Sequence, residues 1–165
     1  MKTGKILAKR FLFVPVTLLL GAFLFTACHK DSNDKNTPAN KTYTISGSAN
    51  GSQVVPALTD SGSGSISGTY SSSTGQLITT TTWSNLTGAP TIGGYYTGAM
   101  GVNGTLIGSA WALGSGLSGT GSFADTTTLT ADQATQLTSG NWYYLLGTAA
   151  NPTGEIRGQI TATAQ

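Results

Sequence analysis

The stretch PTGEIRGQ near the carboxyl end holds the two side chains best suited to chemistry, Glu155 and Arg157. In an extended chain, residues two apart leave the same face, so carboxylate and guanidinium start side by side. Together they could clamp a polar ligand. Alone, the carboxylate could act as the acid or nucleophile of a glycosidase, if a second carboxylate stood across the scissile bond. The plainer alternative makes Arg157 a structural partner for a turn carboxylate or for backbone carbonyls. After residue 41 the other carboxylates are Asp60, Asp125 and Asp132, and their spacing lacks the Asp-x-Asp pattern of calcium loops. They read as turn residues, and nothing in the sequence brings two of them together.

Composition excludes much other chemistry. Cys28 is the one cysteine and His29 the one histidine, adjoining each other far upstream of the patterned segments. A folded domain without either residue type cannot assemble a Ser-His-Asp triad, a Cys-His pair or the usual zinc and copper sites. Neither a metal nor a cofactor is expected. GSGLSG (Gly114, Gly116, Gly119) matches the dinucleotide string G-x-G-x-x-G, but that motif needs a strand before it and a helix opening within it. With strand patterns on both sides, it reads as a hairpin turn.

Two aromatic clusters remain, Tyr95 with Tyr96, and Trp142 with Tyr143 and Tyr144. Neighbours in a strand point to opposite faces, so at least one ring of each cluster is expected to face out, where it could stack on a sugar or fill a partner's pocket. Tyr95, Tyr96, Trp142 and Tyr143 are the candidate binding aromatics. Cross-strand packing is the structural alternative.

The start of the chain accounts for the lone cysteine. Lys2, Lys5, Lys9 and Arg10 precede the 15-residue apolar run FLFVPVTLLLGAFLF. This is the layout of a secretory signal, and the run, broken by Pro15 and Gly21, falls short of the ~20 residues of a membrane span. FTAC then resembles a bacterial lipobox, in which the cysteine is acylated on its thiol and becomes the new amino terminus. Residues 1–27 are expected to be a lipoprotein-type signal peptide and Cys28 the lipidation site, since its thiol has no second cysteine to pair with. Residues 28–41 hold no apolar side chain larger than Ala39 beyond the cysteine and read as a flexible tether. The beginning, CHKDSND, also looks like the lysine-plus-acidic signal that carries some Bacteroidetes lipoproteins to the surface. The expected location is the cell envelope, at the outer membrane through acylated Cys28, with the periplasmic and surface sides both open. From Cys28 onward, four basic residues face six acidic ones, so nucleic acid is not an expected partner.

From residue 42 to 165 the dominant period is two, the mark of strands with one buried face. TYTISGSA, GSISGTY, QLITTTTWSNL, TLIGSAWAL, LSGTGSF, WYYLLGT and GEIRGQITATA alternate and are bounded by Gly, Ser, Asn or Pro. About seven strands at this spacing predict an all-β, antiparallel sandwich or barrel. TLTADQATQLTSG departs from the period: Thr130 as a cap, Ala131 to Leu137 and a stop at Gly140 predict one short helix. The core is expected to rest on Ile45, Val55, Ile66, Leu77, Trp83, Leu86, Leu106, Trp111, Leu117, Phe123, Leu137, Trp142, Tyr144, Ile156 and Ile160.

Two stretches resemble the CHRD domain, named for chordin. GSQVVPAL (Gly51 to Leu58) is similar to that family's opening G-x-Q-E-V-P-P, and YYLLGTAANPTGEIRGQI (Tyr143 to Ile160) to its closing Y-x-N-x-H-T-x-x-x-P-x-G-E-I-R-G-Q. With LTADQATQLTSGNWY between, the resemblance spans about Tyr43 to Ile160. It implies an immunoglobulin-like antiparallel β fold, borne by secreted or surface bacterial proteins with no assigned catalytic activity. The chain departs from the pattern at the family's histidines: GGYYTG stands where a His-x-His stretch often lies, and Gly147 where the closing His would be. Any metal or acid/base role of those histidines is not carried over.

The expected function is that of a non-enzymatic, lipid-anchored envelope domain binding an extracellular protein or glycan. A carboxylate-dependent glycosidase using Glu155 and a purely structural envelope module are the rivals. For Arg157 the expectation is a covered face and a paired guanidinium, because a lone cation in a Gly- and Thr-rich domain suggests a fixed structural partner.

Overall fold

The computed structural model describes residues 40–165; the expected signal peptide, Cys28 and most of the tether lie outside the described residues. Alternation builds a meander of β1 (Thr42–Asn50), β2 (Ser63–Ser71) and β3 (Gln76–Ser84). Ile45 and Ala49, Ile66 and Tyr70, and Leu77 and Trp83 turn inward. The outward hydroxyls pair across strands, Ser65 with Thr82 at 2.8 Å and Ser63 with Ser84 at 3.0 Å. β4 (Pro90–Thr97) and β5 (Gly121–Thr128) follow, then α1 (Ala131–Thr138), β6 (Trp142–Thr148), β7 (Ile156–Gln159) and β8 (Thr161–Ala164). The helix starts where a capping box allows: Thr130 Oγ1 accepts from the Gln133 N–H, and Gln133 Oε1 accepts from the Thr130 N–H. It stops before Gly140, whose φ of 75° is open to glycine.

All strand pairs are antiparallel, in the order β4-β6-β7-β1-β2-β3-β5, with β8 also on β1. β7 and β8 form one stretch bent at Ile160, whose N–H donates to the Trp142 carbonyl at 2.9 Å. The sheet curls into a half-barrel, bringing its two ends face to face across the core. Tyr95 on β4 hydrogen-bonds Thr79 on β3 at 2.6 Å, and the Trp111 ring lies 5.3 Å from that of Phe123 on β5. Leu77, Leu137, Leu146 and Ile156 are 0 % exposed within this core. Each contributes about 1.5–3 kcal/mol by burial.

The expected all-β antiparallel fold is the one that forms, as eight strands in a single curled sheet. Segment 105–113 is not a strand. It runs along the free edge of β4 through Ile107 N–H to Tyr95 O and Trp111 N–H to Gly93 O, but Gly108, at φ 67°, breaks the ladder. Its Leu106 is 40 % exposed, against the core position expected. Val54 rather than Val55 is the buried valine. Leu117 and Phe123 are partly buried against the core.

Candidate functional site

Glu155 sits one residue before β7 and is wholly buried. Its Oε1 accepts from the Thr87 N–H at 2.6 Å; its Oε2 accepts from Thr87 Oγ1 at 2.6 Å and Thr148 Oγ1 at 2.5 Å. Burial alone would raise the carboxyl's pKa, but the donors of Thr148, Thr87 and Asn151 outweigh it and hold the group below its ordinary value. With both hydroxyl protons given to the carboxylate, the 2.9 Å contact between Thr87 and Thr148 has no proton of its own. The carboxylate thus ties the loop after β3 to the end of β6. Asn151 also donates to Asp60 Oδ2 at 3.0 Å, so Asp60 and Glu155 share one amide. Asp60 itself is exposed.

Arg157 is not brought to Glu155. Although two residues apart, their side chains part: the guanidinium lies 3.7 Å above the Tyr143 ring, and its Nη2 donates to the Ala99 carbonyl at 2.7 Å. The covered face expected for Arg157 is present, since the residue is 1 % exposed. The cover is the segment 98–104. Gln159 Nε2 donates to the carbonyls of Gly98 and Gly140, and the Gly104 N–H donates to the Tyr143 hydroxyl. Partnering is by a carbonyl and a ring, with no carboxylate. Burial lowers the guanidinium's pKa and Tyr143 raises it, the net being a decrease.

The candidate aromatics alternate as expected, with Tyr95 and Trp142 inward and Tyr96 and Tyr143 outward, but none of the four is an exposed ring. Tyr95, Trp142 and Tyr143 are buried and Tyr96 is half-buried, stacked on Tyr143 at 5.3 Å. The segment 98–104 that holds Arg157 is what covers the outward ring. GSGLSG lies in an irregular turn followed by β5, with no helix opening in it. Asp132 is exposed in the first turn of α1, where its charge suits the helix end. Asp125 is half-buried on the inward side of β5 and lines a cavity of about 420 Å³ with Tyr95, Trp111, Phe123 and Trp142. Sequence reasoning left Asp125 among the turn residues; its position at an inward step of the period-two pattern is the signal that could have singled it out. Among the described residues no group of three or more His, Cys, Asp or Glu could hold a metal.

The family model of the CHRD domain matches residues 45–160. The chain belongs to the CHRD family. No curated protein and no solved structure matches it. In this CHRD domain the two stretches that carry the resemblance meet: Asn50, at the end of β1, pairs with Arg157, and GSQVVPAL begins at the next residue. From the opening stretch, the Val55 carbonyl accepts from Asn103 Nδ2 at 2.9 Å; from the closing one, Arg157 and Gln159 hold Ala99 and Gly98. Both therefore fasten one covering segment. Gly147, where relatives carry histidine, has no space for a side chain here, as a Cβ would lie 2.7 Å from Ile92 Cγ1. Gly158 is equally enclosed, with a Cβ 2.5 Å from Tyr144 Cε1 and 2.6 Å from the Ser48 carbonyl. Gly158→Ala is expected to destabilise the CHRD domain by about 1–3 kcal/mol through this overpacking, read as a lower denaturant midpoint. An unchanged midpoint would mean that β1 and β6 separate more easily than their register implies.

Proposed function

We propose that this CHRD domain is a non-enzymatic, lipid-anchored envelope module that binds an extracellular protein or glycan. The observation that carries the reading is where the polar groups go. Glu155, Arg157 and Gln159 are engaged with the domain's own loops, while the cavity beside β5 combines the rings of Tyr95, Trp111, Phe123 and Trp142 with the polar side chains of Asp125, Gln133 and neighbouring threonines. A concave site where aromatic walls meet convergent polar groups is typical of binding sites. Affinity capture from envelope extracts and a glycan array, both with the purified full-length chain, test it; a saturable partner supports binding, and none would favour the purely structural module.

The glycosidase reading is second, favoured by Asp60 and Glu155 sharing Asn151. Against it, Glu155 exposes no surface to a substrate, and its donors stabilise the ionised form whereas a general acid must hold its proton. Hydrolysis of aryl glycosides that vanishes in Glu155→Gln would install the enzyme. For the location, motivated by FTAC and the lone thiol, Cys28→Ser is expected to move the protein from the membrane fraction to the soluble one. Retention in the membrane would exclude the acyl anchor.

A further inference from the structure

The half-barrel leaves a gap where its two ends face each other. On one side, the segment that borders β4 presents Ile107 and Trp111; on the other stands β5, the last strand of the sheet, with Phe123 and Asp125. The cavity between them, about 420 Å³, is large enough for a small ligand or one long side chain. Asp125 is its one charged lining residue, and none of the lining residues is a cation. The two basic residues of the described part lie elsewhere, Arg157 bound to Ala99 and Tyr143, and Lys41 exposed before β1. Asp125 adjoins the Tyr95 hydroxyl, whose pKa is raised by burial first and by this carboxylate in addition.

The carboxylate is half-buried among rings with the Tyr95 hydroxyl beside it and no cation lining the cavity, and attraction to an incoming cation is stronger there than in bulk water. Aromatic rings add π-electron density of the same sense and an apolar wall for an aliphatic stem. Anions are repelled, and a neutral ligand leaves the charge unpaired. Resting on the binding reading above, we infer that this cavity takes an organic cation, an alkylammonium or guanidinium group, with its charge on Asp125 and its stem against Trp111 and Phe123.

The test uses the purified full-length chain with N-acetyl-arginine methylamide and N-acetyl-lysine methylamide, beside their uncharged counterparts built on citrulline and norleucine. Binding is followed by nuclear magnetic resonance at the Trp111 indole N–H. The cationic probes are expected to bind at least about tenfold more tightly than the neutral ones, and Asp125→Asn, which keeps the shape, to erase that difference. Added salt should weaken the cationic probes alone. Equal binding of charged and neutral probes, an Asp125→Asn chain that still discriminates, or no binding at all overturns the inference; an unshifted thermal midpoint in Asp125→Asn certifies that the variant is folded. Two further probes identify the source: tighter binding of a short extended peptide bearing Arg or Lys points to a protein partner, and tighter binding of tetramethylammonium to a small cation. If affinity capture finds a partner that Asp125→Asn retains equally well, this cavity is not its site, though the domain still binds. If the cations bind but nothing is captured, the cavity stands and the macromolecular partner falls.

Discussion

Glu155→Gln is expected to lower stability by about 3 kcal/mol, a fall of roughly 10 °C in thermal midpoint for a domain of this size. Three donors within 2.6 Å converge on the native carboxylate, one backbone N–H and two hydroxyls. Gln presents an NH₂ where a second acceptor is needed, so the hydroxyls of Thr87 and Thr148 must turn away and one loses its partner in a sealed site. The effect has a pH signature of definite sign. Because the folded-state pKa lies below the ordinary 4.5, Glu155 contributes stability that is fully present above that value and is lost as pH falls through the lowered one. The gap in midpoint between wild type and variant should therefore be widest near neutrality and close in acid. A gap that widens below pH 4.5 would mean the carboxyl is held protonated, as a general acid would be.

Arg157→Met is expected to destabilise by about 2 kcal/mol, through loss of a charged hydrogen bond to Ala99 and of the cation–π contact with Tyr143. The methionine keeps most of the apolar stem, and no carboxylate is stranded, so the loss stays below the ~3–5 kcal/mol of a broken buried ion pair. Arg157→Lys should rescue little, since an ammonium cannot stack flat on the ring while reaching the carbonyl. Amide hydrogen exchange should quicken in residues 98–104 in both variants, because their tie to β7 is cut. Unchanged protection of that segment would show that Asn103 and the Tyr143 hydroxyl suffice to hold it.

Strands β1, β2 and β3 were legible because one face of each is solvent and the period of two survives along its length. The helix was legible through Thr130 and Gly140, which act within one turn of chain. β4 was obscured by Pro90, Gly93 and Gly94, which interrupt its apolar alternation although its inner face is buried. Segment 105–113 shows the converse: alternation alone does not make a strand when a glycine at positive φ turns the backbone away from its neighbour. At the site, Glu155 and Arg157 were visible as a motif, but their partners were not. Thr87, Thr148, Ala99 and Tyr143 lie 7 to 68 residues away from the residues they hold, and the spacing of two that suggested a pair gave no sign that the two side chains have separate partners. The burial of WYYLLGT on both faces had a signal in its unbroken apolar character, a run that suits a strand covered on two sides.

The central claim is that Glu155 and Arg157 are two independent structural anchors rather than a ligand clamp, and a double-mutant cycle tests it most directly. Unfolding free energies are measured for wild type, Glu155→Gln, Arg157→Met and the double variant, in sucrose so that all four chains are folded. Since the two side chains share no partner, the losses should add to within about 0.5 kcal/mol, each single variant being clearly less stable than wild type. Wild-type stability in both single variants, or a coupling energy above about 1 kcal/mol between them, would contradict the account and return Glu155 and Arg157 to the functional site.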